Sequence, residues 1–223
     1  ESDNAELGMI YDQMNHEMGA LHSVDVDEVG LNDDGRPSNY FARQIDRWSK
    51  QYRASETEVI TDMDSLTEWL PQHMPEDDGK LVLAHGDFRL DNIMFHPSEP
   101  RPLALLDWEL STLGHPYADL AYQCMQLRLD NDSVLAGLGG LDRHALGIPS
   151  EEDYVALYCK RMGLESIPNW NIYVIFSMFR FAAILQGVGK RAQEGNASSD
   201  KASQMGLLVK PLAKMAVELI THS

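Results

Sequence analysis

Two short segments of the chain hold the side chains best suited to chemistry. One is His85-Gly86-Asp87-Phe88-Arg89-Leu90-Asp91-Asn92, and the other is Asp107-Trp108-Glu109. Phosphoryl transfer asks little covalent chemistry of a protein, chiefly positioning and charge neutralisation. It needs a carboxylate to orient an acceptor hydroxyl and take its proton. It also needs oxygen ligands for Mg²⁺, a hard cation that prefers carboxylates, carbonyls and water. The order His-x-Asp-x-x-x-x-Asn, with a further Asp twenty residues after the first, meets both demands. Taken singly, Asp87, Asn92 and Asp107 read as turn or capping residues. Their occurrence together carries the functional reading.

Such groups need a rigid frame, and the flanking sequence supplies one. Leu81-Val82-Leu83-Ala84, Ile93-Met94-Phe95 and Leu103-Ala104-Leu105-Leu106 are short apolar runs suited to buried strands. The last two are separated by the turn-forming His96-Pro97-Ser98-Glu99-Pro100. Around this β island the apolar period is helical. Asp3 or Asn4 can cap a first helix with Leu7, Ile10, Tyr11, Met14, Met18 and Leu21 on one stripe, stopped by the loop Gly30 to Pro37. A second helix carries Tyr40, Phe41, Ile45, Trp48 and Tyr52. A shorter third carries Met63, Leu66, Trp69 and Leu70 before Pro71. Helices are predicted again after Pro116 and over residues 151–162, 169–191 and 201–221, with 137–147 an irregular connection. One compact, mainly helical α+β domain is the expected architecture.

Composition excludes several classes. The 223 residues carry a formal charge of −17, 43% hydrophobic and 24% charged residues, which argues for a soluble globular protein and against nucleic-acid or anionic-membrane surfaces. The richest apolar stretch, Ile172 to Leu185, is interrupted by Arg180 and reads as a buried helix rather than a membrane span. The acidic start lacks the layout of a signal peptide, and Cys124 and Cys159 read as reduced core thiols, so a cytoplasmic location is expected. Arg180, set among Phe176, Phe179 and Phe181, reads as snorkelling or paired with a carboxylate, with a substrate-facing role as the alternative. His16 and His22 lack the spacing of a zinc pair and receive no role. Asn196-Ala197-Ser198 matches a glycosylation acceptor but reads as loop.

The string from His85 to Asn92 resembles the catalytic core of the aminoglycoside phosphotransferase and choline kinase superfamily, itself related to protein kinases. With Asp107-Trp-Glu-Leu-Ser-Thr-Leu-Gly-His-Pro116 and Asp119-Leu-Ala-Tyr122, it is similar to the phosphotransferase-like domains associated with acyl-CoA dehydrogenases. Leu21-His22-Ser23-Val24-Asp25 resembles the end of the first large-lobe helix of that family. The resemblance implies the C-terminal lobe of a protein-kinase-like fold with a small β island. It implies Asp87 as catalytic base, Asn92 and Asp107 as Mg²⁺ ligands, and His85 as a brace of the loop. Arg89 would stand near the transferred phosphate, and Asp119 would be structural, hydrogen-bonding the loop. ATP and Mg²⁺ are the implied cofactors, and a hydroxylated small molecule is the implied substrate.

The family's smaller β-rich lobe normally supplies a lysine and a phosphate-covering loop, yet no strand-like run or glycine-rich loop precedes Leu81. The N-terminal nucleotide-binding lobe is therefore expected to be absent, as in a piece of a longer protein, and would be an intramolecular partner. An exposed apolar face in its place would favour a homo-oligomer. Two other readings stand beside the kinase: a non-catalytic interaction module descended from a kinase lobe, and a metal-dependent hydrolase using His85, Asp87 and Asp107. For the substrate, the narrower resemblance favours a hydroxylated acyl or acyl-CoA-like metabolite. The acidic composition leans toward cations such as aminoglycosides or choline.

Overall fold

The computed structural model describes residues 4–31, 39–194 and 201–221, the side chains of 201–203 excepted. In chain order the elements are α1 (Asn4–His22), α2 (Tyr40–Ser55), α3 (Thr61–His73), β1 (Val82–Ala84), β2 (Ile93–Phe95), β3 (Pro102–Leu105), β4 (Thr112–Gly114), α4 (Pro116–Gln126), α5 (Glu151–Arg161), α6 (Trp170–Gln193), α7 (Lys201–Gly206) and α8 (Val209–Thr221). Single 3₁₀ turns at Leu90–Asn92 and Trp108–Leu110 join the strands. The chain divides into two compact units, one of Glu1–Pro37 with Gly79–Pro168, the other of Ser38–Asp78 with Asn169–Ser223.

The first unit carries the β island. Strand β1 pairs antiparallel with β4, Val82 opposite Gly114 and Ala84 opposite Thr112. Strands β2 and β3 form a separate antiparallel pair, Ile93 opposite Leu105, with an irregular register between Met94 and Phe95. Helix α1 lays Tyr11, Met14, Met18 and Leu21 inward and packs against α5, β1 and α4. Helix α4 starts with Pro116 at its first position, where the missing N–H costs nothing, and is buried from Pro116 to Met125. Ser150 caps α5 by accepting the Asp153 N–H at 3.0 Å. Cys124 and Cys159 are both buried and free. Strand β4 escaped the sequence reading because three residues ending in Gly114, shortly before Pro116, offer no alternation to detect.

The second unit is all helix. Helix α6 packs against α2, α3, α7 and α8, and Val174, Ile175, Phe176, Met178 and Phe179 are fully enclosed. Phe41 of α2 meets Phe176 edge to face, ring centroids 5.0 Å apart, a favourable aromatic geometry. Helix α6 is by length and composition apolar enough to cross a bilayer, with a mean hydropathy of 1.6, yet 83% of that stretch is buried inside the protein, as the reading of a buried helix expects. That burial is the mark of a core helix. Arg180 does not snorkel; it is buried, its guanidinium 5.7 Å from the Trp48 ring centroid.

Two helix boundaries differ from expectation. Helix α3 continues through Pro71 to His73, because a proline in the last turn removes only one backbone bond. The helix expected over 201–221 is two, broken after Gly206. A Cβ there would sit 3.0 Å from the Gly189 Cα, so the two glycines let α6 and α7 approach closely. Most of the expected loop from Gly30 to Pro37, the cap at Asp3 and the triplet Asn196-Ala197-Ser198 lie outside the described residues.

Candidate active site

Residues 85–92 leave β1 as a loop folded back on itself. Gly86 adopts a φ of +82°, and a Cβ there would lie 2.2 Å from the Leu110 carbonyl oxygen, so conformation and space both demand glycine. Phe88 points inward and is buried, which leaves Asp87 and Arg89 on the other side, partly exposed. The 3₁₀ turn at Leu90–Asn92 then brings Asn92 back under Asp87. Its Nδ2 donates to both the Asp87 backbone oxygen and Asp87 Oδ2, each at 2.8 Å. Arg89 Nε lies 3.5 Å from the same Oδ2, and Arg89 Nη1 is 3.3 Å from Asp91. Base candidate, amide and guanidinium thus converge on one carboxylate.

Asp107 enters from the end of β3. Leu106 donates its N–H to the Asn92 carbonyl at 2.8 Å, and its own carbonyl accepts from His85 Nε2 at 2.9 Å. Asp107 itself adopts a left-handed φ of 65°, a conformation that costs most side chains but that aspartate tolerates. Its carboxylate is exposed. Among the described residues, no hydrogen bond ties its side chain to Asp87 or Asn92; the Leu106 N–H on the Asn92 carbonyl and the His85 ring on the Leu106 carbonyl place the two acidic segments side by side.

His85 is a brace in this geometry. Its Nε2 faces a carbonyl and its Nδ1 accepts the Asp87 N–H at 3.3 Å, so one neutral tautomer satisfies both contacts. The Trp108 ring lies 4.8 Å from the imidazole, and Trp108 Nε1 donates to the Leu105 carbonyl at 2.9 Å. Beneath the loop, Asp119 of α4 is fully buried. Its two oxygens accept the backbone N–H groups of His85, at 2.6 Å, and Gly86, at 2.8 Å. Burial pushes the Asp119 carboxyl up. The hydrogen bond from His22 and those from the two backbone N–H groups outweigh that and hold it below its ordinary value.

Sequence reasoning missed His22. It lies at the end of α1, fully enclosed, with Nε2 3.3 Å from Asp119 Oδ2 and Nδ1 2.7 Å from the Tyr158 hydroxyl. The signal was present but faint: His22 follows Met18 by four residues and so falls on the buried stripe, where a polar side chain must find partners.

The donors left for a cation are the Asn92 amide oxygen and the Asp107 carboxylate, both hard oxygen ligands. Among the described residues, no three His, Cys, Asp or Glu side chains gather closely enough to hold a metal by themselves. Mg²⁺ does not need such a cage, since it keeps several waters and binds through one or two side chains plus substrate phosphates. The donor set fits Mg²⁺ delivered with a nucleotide.

A family model described as "Phosphotransferase enzyme family" matches residues 1–151. The chain belongs to this family. Among curated proteins, it is 47% identical over 213 residues to mouse acyl-CoA dehydrogenase family member 10, covering 95% of this chain and 20% of that protein. It is 40% identical over 216 residues to the human family member 11, covering 96% of this chain and 28% of the relative. The chain thus spans about a quarter of the length of these relatives. Among solved structures, a candidate aminoglycoside phosphotransferase of Ralstonia eutropha superposes with a TM-score of 0.94 at 51% identity, covering 99% of this chain and 67% of that one. A choline kinase of Cryptosporidium parvum, 13% identical, gives a TM-score of 0.60 over 97% of this chain and 67% of its own, a likeness of fold alone. The chain is therefore a mainly helical lobe of a kinase-like fold with a small strand island, as the resemblance implied.

Proposed function

We propose that this chain carries the catalytic residues of an ATP- and Mg²⁺-dependent phosphotransferase that acts on a hydroxyl of a small molecule. One observation carries the reading: the Asp87 carboxylate, gripped at 2.8 Å by Asn92, stands on a loop whose backbone bonds also fix Asp107. Asn92 Nδ2 and Arg89 Nε both face Oδ2, so Oδ1 is the atom that orients the acceptor hydroxyl and takes its proton. Asn92 and Asp107 would hold Mg²⁺, which supplies neutralisation of the phosphate charge when bound. Arg89 would face the transferred phosphate, and its present contact with Asp87 keeps it within reach. His85 and Asp119 hold the loop and take no part in the chemistry.

The rest of the nucleotide grip is proposed to lie in sequence that this chain does not span, about a third of the Ralstonia protein. For the acceptor, the names of the curated relatives support a hydroxylated acyl or acyl-CoA-like metabolite. Calorimetry of MgATP binding, on this chain and on a form extended to the length of its solved relative, tests the reading. Binding by the extended form, weakened by Asp107→Ala and abolished by chelation of Mg²⁺, is expected. No metal-dependent binding by either form would overturn it in favour of a non-catalytic interaction module.

A further inference from the structure

A line of buried polar groups stands behind the candidate loop, all within the first unit. Tyr158 of α5 is fully buried, and its hydroxyl lies 2.7 Å from Nδ1 of His22. The other ring nitrogen, Nε2, lies 3.3 Å from Asp119 Oδ2. Asp119 in turn holds the N–H groups of His85 and Gly86. The His22 and Asp119 side chains are 0% and 1% exposed, so bulk water cannot replace a lost partner, and an unmet polar group there is costly.

Donor and acceptor chemistry fixes the proton that faces Asp119. An ionised carboxylate only accepts, so His22 Nε2 carries a hydrogen. In the neutral ring Nδ1 is then an acceptor, and the Tyr158 hydroxyl faces it. Burial, with Tyr117 and Asp119 adding to it, pushes the Tyr158 phenol above its ordinary value, so the hydroxyl keeps its proton and can donate it.

We infer that Tyr158 is a positioning residue for phosphoryl transfer, locking the tautomer of His22 that aims Nε2–H at Asp119, which then fixes the peptide units carrying Asp87. Those units have little other freedom, because His85 Nδ1 holds the Asp87 N–H and Leu110 blocks Gly86. A small rotation about the His85–Gly86 peptide would displace the Asp87 carboxylate, and misplacement by about 1 Å can cost roughly 100-fold in rate. The catalytic half of the inference rests on the proposed function; the geometric half does not.

Tyr158→Phe removes one oxygen and keeps the ring, and NMR reads its effect without any substrate. In the wild type, the ring nitrogens of His22 are expected to report the Nε2–H tautomer. In the variant the Nδ1 resonance shifts, and amide exchange at His85 and Gly86 rises about three- to tenfold, the equilibrium equivalent of one hydrogen bond. Exchange within α5 changes by less than about twofold. In the extended, active form kcat falls by a similar factor while KM for MgATP holds. A wild-type Nδ1–H tautomer, or exchange at His85 and Gly86 rising no more than in α5, would overturn the lock. An unchanged kcat with raised exchange would overturn its catalytic role. If the variant does not fold, the wild-type tautomer alone decides. Absence of turnover in the wild type would instead indict the phosphotransferase reading, leaving the NMR result to stand on its own.

Discussion

The loop of the first unit and the helix cluster of the second are held by opposite means. Around Asp87 nearly every fixing contact is polar: Asn92 to Asp87, His85 to Leu106, Asp119 to two backbone N–H groups. Around α6 the contacts are mainly apolar, with Phe41 against Phe176 and Gly189 against Gly206, and polar links such as Gln186 Nε2 donating to the Ser55 carbonyl at 2.9 Å are few among the described residues. Polar bonds are directional and fail singly, whereas apolar packing is non-directional and degrades by volume. A site that must hold a carboxylate to a fraction of an ångström uses the first kind, and a scaffold uses the second.

This contrast can be broken by substitution. Asp119→Ala should be the most damaging change in the first unit, destabilising by roughly 3–5 kcal/mol, because it leaves His22 and two buried N–H groups without their acceptor. Thermal and urea unfolding would measure it, and a loss under about 1 kcal/mol would show that the polar anchor is dispensable. Phe176→Ala should cost a similar amount, about 3–5 kcal/mol, by opening a cavity instead. A larger aliphatic residue there should recover part of that loss. No neutral replacement should do so at Asp119.

The two glycine sites offer a finer comparison. Gly86→Ala meets both a left-handed φ and a carbonyl at 2.2 Å, so about 1–3 kcal/mol of backbone strain should appear together with a fall in MgATP-dependent turnover. Gly189→Ala meets only the Gly206 Cα at 2.9 Å. Overpacking there should cost about 1–3 kcal/mol and read out in unfolding alone.

The smallest effect concerns acid. The Asp119 carboxyl is held below its ordinary value in the folded chain, against about 3.9 when unfolded. Its contribution is therefore complete above about pH 4 and is lost as pH falls through the lower folded value. Asp119→Asn should flatten the acid limb of the stability curve below about pH 4 and leave its shape above that pH unchanged.

The two regions were also unequally legible. The α6 cluster was readable from its sequence, since Ile172 to Leu185 is apolar enough to declare a buried helix. The chemistry of the loop was readable from residue type and spacing, because His85, Asp87 and Asn92 lie within eight residues. What braces the loop from behind was legible only in part. Asp119 was named from the resemblance as a support of the loop, but its link to His22, 97 residues away, and from there to Tyr158, 136 residues from His22, was not, because no local pattern couples residues so far apart. Strand β4 was invisible because pairing with β1, rather than its own sequence, makes it a strand. Gly206 split the last helix for a similar reason: its meaning depends on Gly189.

The central claim is that the loop around Asp87 transfers phosphoryl groups. Its most direct test compares wild type with Asp87→Asn in the form extended to the length of its solved relative. Mg²⁺-dependent ATP turnover would be followed with hydroxyacyl-CoA, choline and aminoglycoside acceptors. The expected result is a rate lower by about 10²–10⁴-fold at an unchanged unfolding midpoint. Equal rates in the two proteins would contradict the claim.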